Sequence, residues 1–297
     1  FFFKPKTAYA IRLSLVGSEM CIRDSYCTSK DTLVSNELFS VYFNKNFSVA
    51  KTKIEEDEDM YRFYKSNNYT PHQTVQNTLT DKIYFISRNV MLYFKYKTIE
   101  PYFPLKNILD YGCGNGEFLK YVSKRGMNGI GVEKSNHSQR ICEKKDLKVF
   151  PTIKDLTNKR FDIISLWHVL EHVSNPSKTI SALSSLLSNR GYFIIAVPNI
   201  QSIDSQIFKS EWAGLDVPRH IWHFTPQGLI DLFKKQGYVL IKKRPLILDA
   251  YYISLLSARR KKLIFPWLVS ILIGTISNLI AIFSGNFSSS IFIFRRH

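Results

Sequence analysis

Cysteine is scarce in this chain of 297 residues, which holds four. None of Cys21, Cys27, Cys113 and Cys142 stands at a disulfide-framework or zinc-site spacing from another, so neither staple is expected and no metal is assigned. A reducing, cytoplasmic setting fits that usage. Acids are also short, 24 against 41 Lys and Arg, for a net charge of +17. Such a balance suits a phosphate-bearing partner or an anionic lipid surface, or is simply a solvated lysine-rich exterior. No compact basic run with interleaved aromatics of the base-stacking kind occurs, so no specific nucleic acid partner is expected.

The most informative segment runs from Ile108 to Leu119, ILDYGCGNGEFL. An apolar strand ends in a glycine turn that opens directly into a helix, where Gly112, Gly114 and Gly116 allow tight turning and close backbone approach to a ligand. The helix that follows presents unpaired N–H groups towards the same place. The spacing is G-x-G-x-G rather than the G-x-G-x-x-G of dinucleotide sites. Asp110 stands just ahead, and no Lys or Arg appears before Lys120. A carboxylate there disfavours phosphate and favours an ammonium, which suits S-adenosyl-L-methionine, a donor with a cationic amino acid end and no phosphate.

This segment resembles the first motif of class I S-adenosylmethionine-dependent methyltransferases, D/E-x-G-x-G-x-G. The resemblance implies an α/β fold: a doubly wound, Rossmann-like seven-stranded sheet with an antiparallel C-terminal hairpin. It also implies that Asp110, Tyr111, Gly112, Gly114 and Gly116 line the cofactor. The order of later elements agrees. A helix from Gly116 stops at Gly126, and a short strand reaches Glu133, about 20 residues beyond the loop, where an acid can take ribose hydroxyls. A polar helix covers Ser135 to Lys145 and a strand Lys148 to Phe150. The loop after it, which holds adenine in the family, makes Asp155 a candidate. Phe161 to Trp167 is a continuous apolar run of central-strand type, and Trp167 at its end joins the cofactor set. Asn175-Pro176 caps a helix predicted to reach Ser188 and to stop at Gly191. A strand at Tyr192 to Val197, a helix from Thr225 to Gln236, and strands at Tyr238 to Leu248 and Ser289 to Phe294 complete the alternation.

The flanks read differently. Residues 1–25 closely resemble the translation of a short-read sequencing adaptor and are set aside; their apolar run is too broken to span a bilayer. Residues 26–100 form a small N-terminal appendage, resembling that of a bacterial methyltransferase group through Val34 to Phe39 and Tyr64 to His72. The group's zinc ribbon lacks its second cysteine pair here, and Thr74 to Tyr102 reads as one long amphipathic helix. Residues 101–297 form the methyltransferase domain, with a helical insertion at about 250–287. Arg259-Arg-Lys-Lys262 precedes an apolar stretch long enough to cross a membrane. Three readings of it stand open: a helix docked on the protein, membrane-surface contact through residues 259–284, and a true span.

For the chemistry, the resemblance places the phrase Trp167 to His172, WHVLEH, beside the transferred methyl and makes His168 a catalytic candidate. Asp216 to Thr225, DVPRHIWHFT, resembles an acceptor-side lid in which His220 and His223 could serve as general base. Arg219 could bind an acidic acceptor or pair with Asp216. The N/D-P-P-Y/F motif of nucleic-acid amino methylation and the Pro-Cys pair of pyrimidine carbon methylation are both absent. A small-molecule acceptor methylated on oxygen (a metabolite, glycan precursor or lipid) is the expected reaction. The alternative is a non-catalytic S-adenosylmethionine-binding protein attached to a membrane surface.

Overall fold

The computed structural model describes residues 24–55, 59–64, 79–102 and 106–297. Its centre is a seven-stranded sheet in the order β10-β11-β8-β7-β4-β5-β6. The parallel part comprises β4 (Asn107–Tyr111), β5 (Asn128–Val132), β6 (Val149–Phe150), β7 (Phe161–Trp167) and β8 (Leu187–Pro198). The antiparallel hairpin of β10 (Tyr238–Pro245) and β11 (Ser289–Arg296) adds to β8 through β11. Strand β7 shows why its sequence is apolar throughout. Ile164 and Leu166 enter the core on one face, Ile163 and Trp167 that on the other, as a strand covered on both sides requires.

The crossover helices are α2 (Glu117–Ser123), α3 (Asn136–Glu143) and α4 (Pro176–Ser184). The capping residues act as the sequence suggests: Asn175 Oδ1 accepts the Lys178 N–H at 3.0 Å, and Pro176 occupies the first turn. Helix α4 is shorter than predicted. Ser184 and Ser185 turn their hydroxyls onto the Ile180 and Ala182 carbonyls at 2.7 Å, a local competition that favours helix ends. Gly191, the predicted stop, instead lies inside β8, where an added Cβ would sit 2.7 Å from Leu187 Cδ1. Strand β10 likewise ends at Pro245 rather than Leu248, because proline has no N–H for the ladder.

The N-terminal region differs most from expectation. Its strands β1 (Asp24–Lys30), β2 (Leu38–Asn44) and β3 (Val49–Thr52) form an antiparallel sheet whose fourth strand is β9 (Trp222–Phe224), from the lid segment. Ala50 pairs with His223 and Val49 with Phe224. The appendage is thus completed by the chain it precedes. The adaptor-like segment lies outside the described residues apart from Asp24 and Ser25, which open β1. The predicted helix from Thr74 is described from its Leu79 onward as α1 (Leu79–Ile99), which packs Leu92 and Ile99 into the core beneath α2. Helices α5 (Ile203–Phe208) and α6 (Pro226–Lys235) follow β8 and β9, and between β10 and β11 stand α7 (Ile247–Arg260) and α8 (Pro266–Ser284).

Candidate active site

The glycine loop turns as its sequence demands. Gly112, Gly114 and Gly116 have φ of 74°, 53° and 74°, the left-handed region that side chains avoid. At Gly112 an added Cβ would lie 2.5 Å from Val169 Cγ2, in the loop after β7. The turn is anchored at its neighbouring strand, where Gly112 N–H donates to Val132 O at 2.7 Å. Glu133 reaches back across it, accepting the Gly114 N–H at 3.0 Å and the Ser135 N–H at 2.8 Å. Two of the sequence candidates, Gly114 and Glu133, are therefore in direct contact.

Asp110 is almost fully buried, and its Oδ1 accepts the Ser165 hydroxyl at 2.7 Å. Burial pushes its carboxyl up to about 6, opposed by that hydrogen bond and by the charge of Lys95. Lys95 comes from α1 and was not among the sequence candidates. Its Nζ lies 4.8 Å from the centre of the Trp167 ring, and burial lowers its basicity while Asp110 and Asp249 pull it back up. Trp167, at the end of β7, leaves its buried Nε1 without a hydrogen-bond partner among the described residues, as Asn115 in the loop leaves Oδ1. Tyr111 is half-buried at the end of β4, while Asp155 lies exposed in the turn after β6.

His168 follows Trp167 with φ of 55°, a left-handed conformation that costs a non-glycine residue roughly 1–3 kcal/mol. Its ring stands between two carboxylates: Nδ1 is 3.4 Å from Glu171 Oε1 and Nε2 is 3.3 Å from Asp249 Oδ2. Burial opposes the charged form, but the two carboxylates outweigh it and raise the imidazole to about 9. Glu171 is buried, and neither of its oxygens makes a well-aligned hydrogen bond among the described residues.

The lid histidines separate into two environments. His220 Nδ1 is 2.9 Å from Gly214 O and His172 Nδ1 is 3.0 Å from Arg219 O. Because carbonyls only accept, both rings carry their proton on Nδ1. Glu171, His172 and His220 place ligand atoms within 4.8 Å of one another, a spacing that one divalent cation could bridge. His223 is not a base near neutrality: it is buried beside Thr52, whose Oγ1 lies 2.9 Å from Nε2, and burial with the nearby His220 drops it to about 3. Burial and the same neighbour drop His172 to about 4.

Arg219 does not face an acceptor either. It is fully buried, gripping Asp216 Oδ1 at 2.8 Å and Asp31 Oδ1 at 3.0 Å from one Nη2, and so ties the N-terminal segment to the lid. The lid is in turn joined to the turn after β7, for the Ile221 N–H donates to Glu171 O at 2.9 Å and Ile221 O accepts the Thr52 N–H at 2.9 Å.

Residues 80–243 match the family described as a methyltransferase domain. The chain belongs to that family, whose methyl donor is S-adenosylmethionine. The matched span runs from α1 through β10. The chain is 30% identical over 178 residues to a ubiquinone biosynthesis O-methyltransferase of Pelagibacter ubique, covering 54% of this chain and 73% of the relative. It is 26% identical over 157 residues to the enzyme of that name from Cereibacter sphaeroides, covering 48% of this chain and 64% of the relative. Among solved structures, a magnesium protoporphyrin IX methyltransferase from Synechocystis PCC 6803 superposes with a TM-score of 0.50 at 13% identity, over 76% of this chain and 90% of that one. That likeness supports the fold alone.

Proposed function

We propose that this methyltransferase acts on a hydroxyl of a small acceptor, a metabolite, glycan precursor or lipid, a reading supported by relatives named as O-methyltransferases. The observation that carries the reading is His168, held between Glu171 and Asp249 immediately after Trp167. The cofactor site fits a zwitterionic sulfonium donor. Gly112 turns the backbone where a Cβ would strike Val169, and Asn115 Oδ1 and Trp167 Nε1 are buried and unpartnered among the described residues. Asp110 and Lys95 supply opposite charges for the ammonium and carboxylate of the donor's amino acid end, and Glu133 the acceptor atoms for its ribose. When bound, S-adenosylmethionine supplies a methyl group already made electrophilic by positive sulfur.

The chain's own work is to align, to exclude water and to move one proton. Because Glu171 and Asp249 keep His168 protonated near neutrality, its imidazolium orients and stabilises the acceptor oxygen, and the hydroxyl proton passes to the carboxylate of Asp249 as that oxygen becomes nucleophilic. The lid, fixed by Arg219 and by the β3–β9 pairing, closes the site on the acceptor side.

The test follows label from methyl-labelled donor into quinol, sugar-nucleotide and lipid acceptors, with wild type and His168→Gln. Transfer to a hydroxyl is expected, with turnover falling about 100-fold in the variant while calorimetric affinity for S-adenosylhomocysteine holds. Label appearing only on amines, or undiminished in His168→Gln, overturns the assignment.

A further inference from the structure

Helix α8 has two unlike faces. The docked one is made of small and polar residues: Ser270 Oγ donates to Tyr251 O at 2.6 Å, and Ser277 Oγ donates to Asp204 Oδ1 at 2.7 Å. At Gly274 an added Cβ would meet Tyr251 Cδ1 at 2.6 Å, so a larger residue would push the helix off α7. The outer face is apolar and bare, with Phe265, Trp267, Ile271, Leu272, Ile282 and Phe283 all exposed, Phe283 by 92%.

The helix is long and apolar enough to cross a membrane. Its place in the fold rules out a single crossing, because Pro245 at the end of β10 pairs with Ser290 near the start of β11, so the insertion leaves and returns at one sheet edge. An exposed apolar strip of this extent on a docked helix is the form of an element that lies in an interface.

Charge completes the surface. Just ahead of α8, Arg259, Arg260, Lys261 and Lys262 line a cleft of about 720 Å³ together with Lys30 and one acid, Glu211. The Arg260 side chain is 10% exposed, and its Nη1 has no hydrogen-bond partner among the described residues. We propose that α8 and this cleft form a docking surface for an anionic phospholipid bilayer. The helix lies along the interface with its bare face among the acyl chains, and the cleft takes a headgroup phosphate. The pairing of a helix-long apolar strip with a cation cluster, on a chain of net charge +17, complements a negative bilayer surface.

The experiment sediments the full chain with vesicles of phosphatidylcholine alone and of phosphatidylcholine with phosphatidylglycerol, at low and raised salt. Binding to the anionic vesicles that weakens with salt is expected. Leu272→Glu with Phe283→Glu abolishes it, and Arg259→Ser and Lys261→Ser each weaken it about fivefold. Calorimetry with S-adenosylhomocysteine, unchanged in every variant, shows that each is folded. No binding to either vesicle, equal binding to both, or binding kept by the Glu variant overturns the proposal. So does a lipid-free dimer that the Glu variant disperses, for then the face belongs to a second copy of the chain.

Discussion

His168 concentrates several costs that motivate the role proposed for it: a left-handed backbone, a ring between two carboxylates, and a neighbouring Glu171 left without good hydrogen bonds among the described residues. Asp110 carries the clearest pH consequence. In the role proposed for it the carboxyl is ionised to hold a cationic donor, and burial raises it to about 6. Donor affinity measured by calorimetry should be flat above that pH and fall about tenfold per unit below it. Asp110→Asn should be weak throughout, and a wild-type affinity independent of pH between 4 and about 8 would remove Asp110 from the site. Much of this constellation could be read in advance, because the glycine spacing, Asp110, Glu133 and the WHVLEH phrase are all local in sequence. Lys95 and Asp249 could not, since they arrive from α1 and α7 through tertiary packing. One signal was available for Lys95: it shares a helical stripe with the buried Leu92 and Ile99, an odd place for a cation. His223 was misread for the converse reason, that its burial depends on a strand pairing no local pattern reveals.

The parallel strands and their helices follow closely from runs of apolar residues bounded by glycine and by Asn or Thr caps, which act within a few residues. Strand β9 is too short for periodicity to show, and its partner β3 lies far away in sequence. Gly228 marks how tightly the two regions meet. It sits in the first turn of α6, capped by Thr225 Oγ1, which accepts its N–H at 3.0 Å and itself donates to Ser48 O at 2.7 Å. A Cβ at Gly228 would strike the Ser48 carbonyl, backbone that cannot move aside as a side chain would. Gly228→Ala should therefore cost about 1–3 kcal/mol despite the better helix propensity of alanine. Denaturant unfolding reads that cost, and a stabilised variant would mean that the turn at Ser48 does not rest on α6.

Two buried charge arrangements pull the stability of the folded chain in opposite pH directions. Burial would raise Asp216, but hydrogen bonding from Arg219 and the charges of His220, Arg219 and Arg260 hold it at about 2. Its folded value is depressed, so its contribution is present above the ordinary carboxylate value and is lost as pH falls through about 2. His168 behaves oppositely. Its folded value is raised to about 9, so its contribution is complete below the ordinary imidazole value and fades as pH rises through about 9. Thermal unfolding followed against pH should thus show a plateau between the ordinary carboxylate and imidazole values, about 4 to about 6.5, with a declining shoulder on each side. His168→Gln should flatten the alkaline shoulder and leave the acid one, and Asp216→Asn should lower the melting temperature at neutral pH while narrowing the acid loss. Because Arg219 bridges Asp216 to Asp31, the second variant should also loosen the N-terminal sheet, seen as faster amide exchange in β1 to β3 than in β4 to β8. Uniform exchange across both sheets would mean that the bridge does not govern how the N-terminal segment is held.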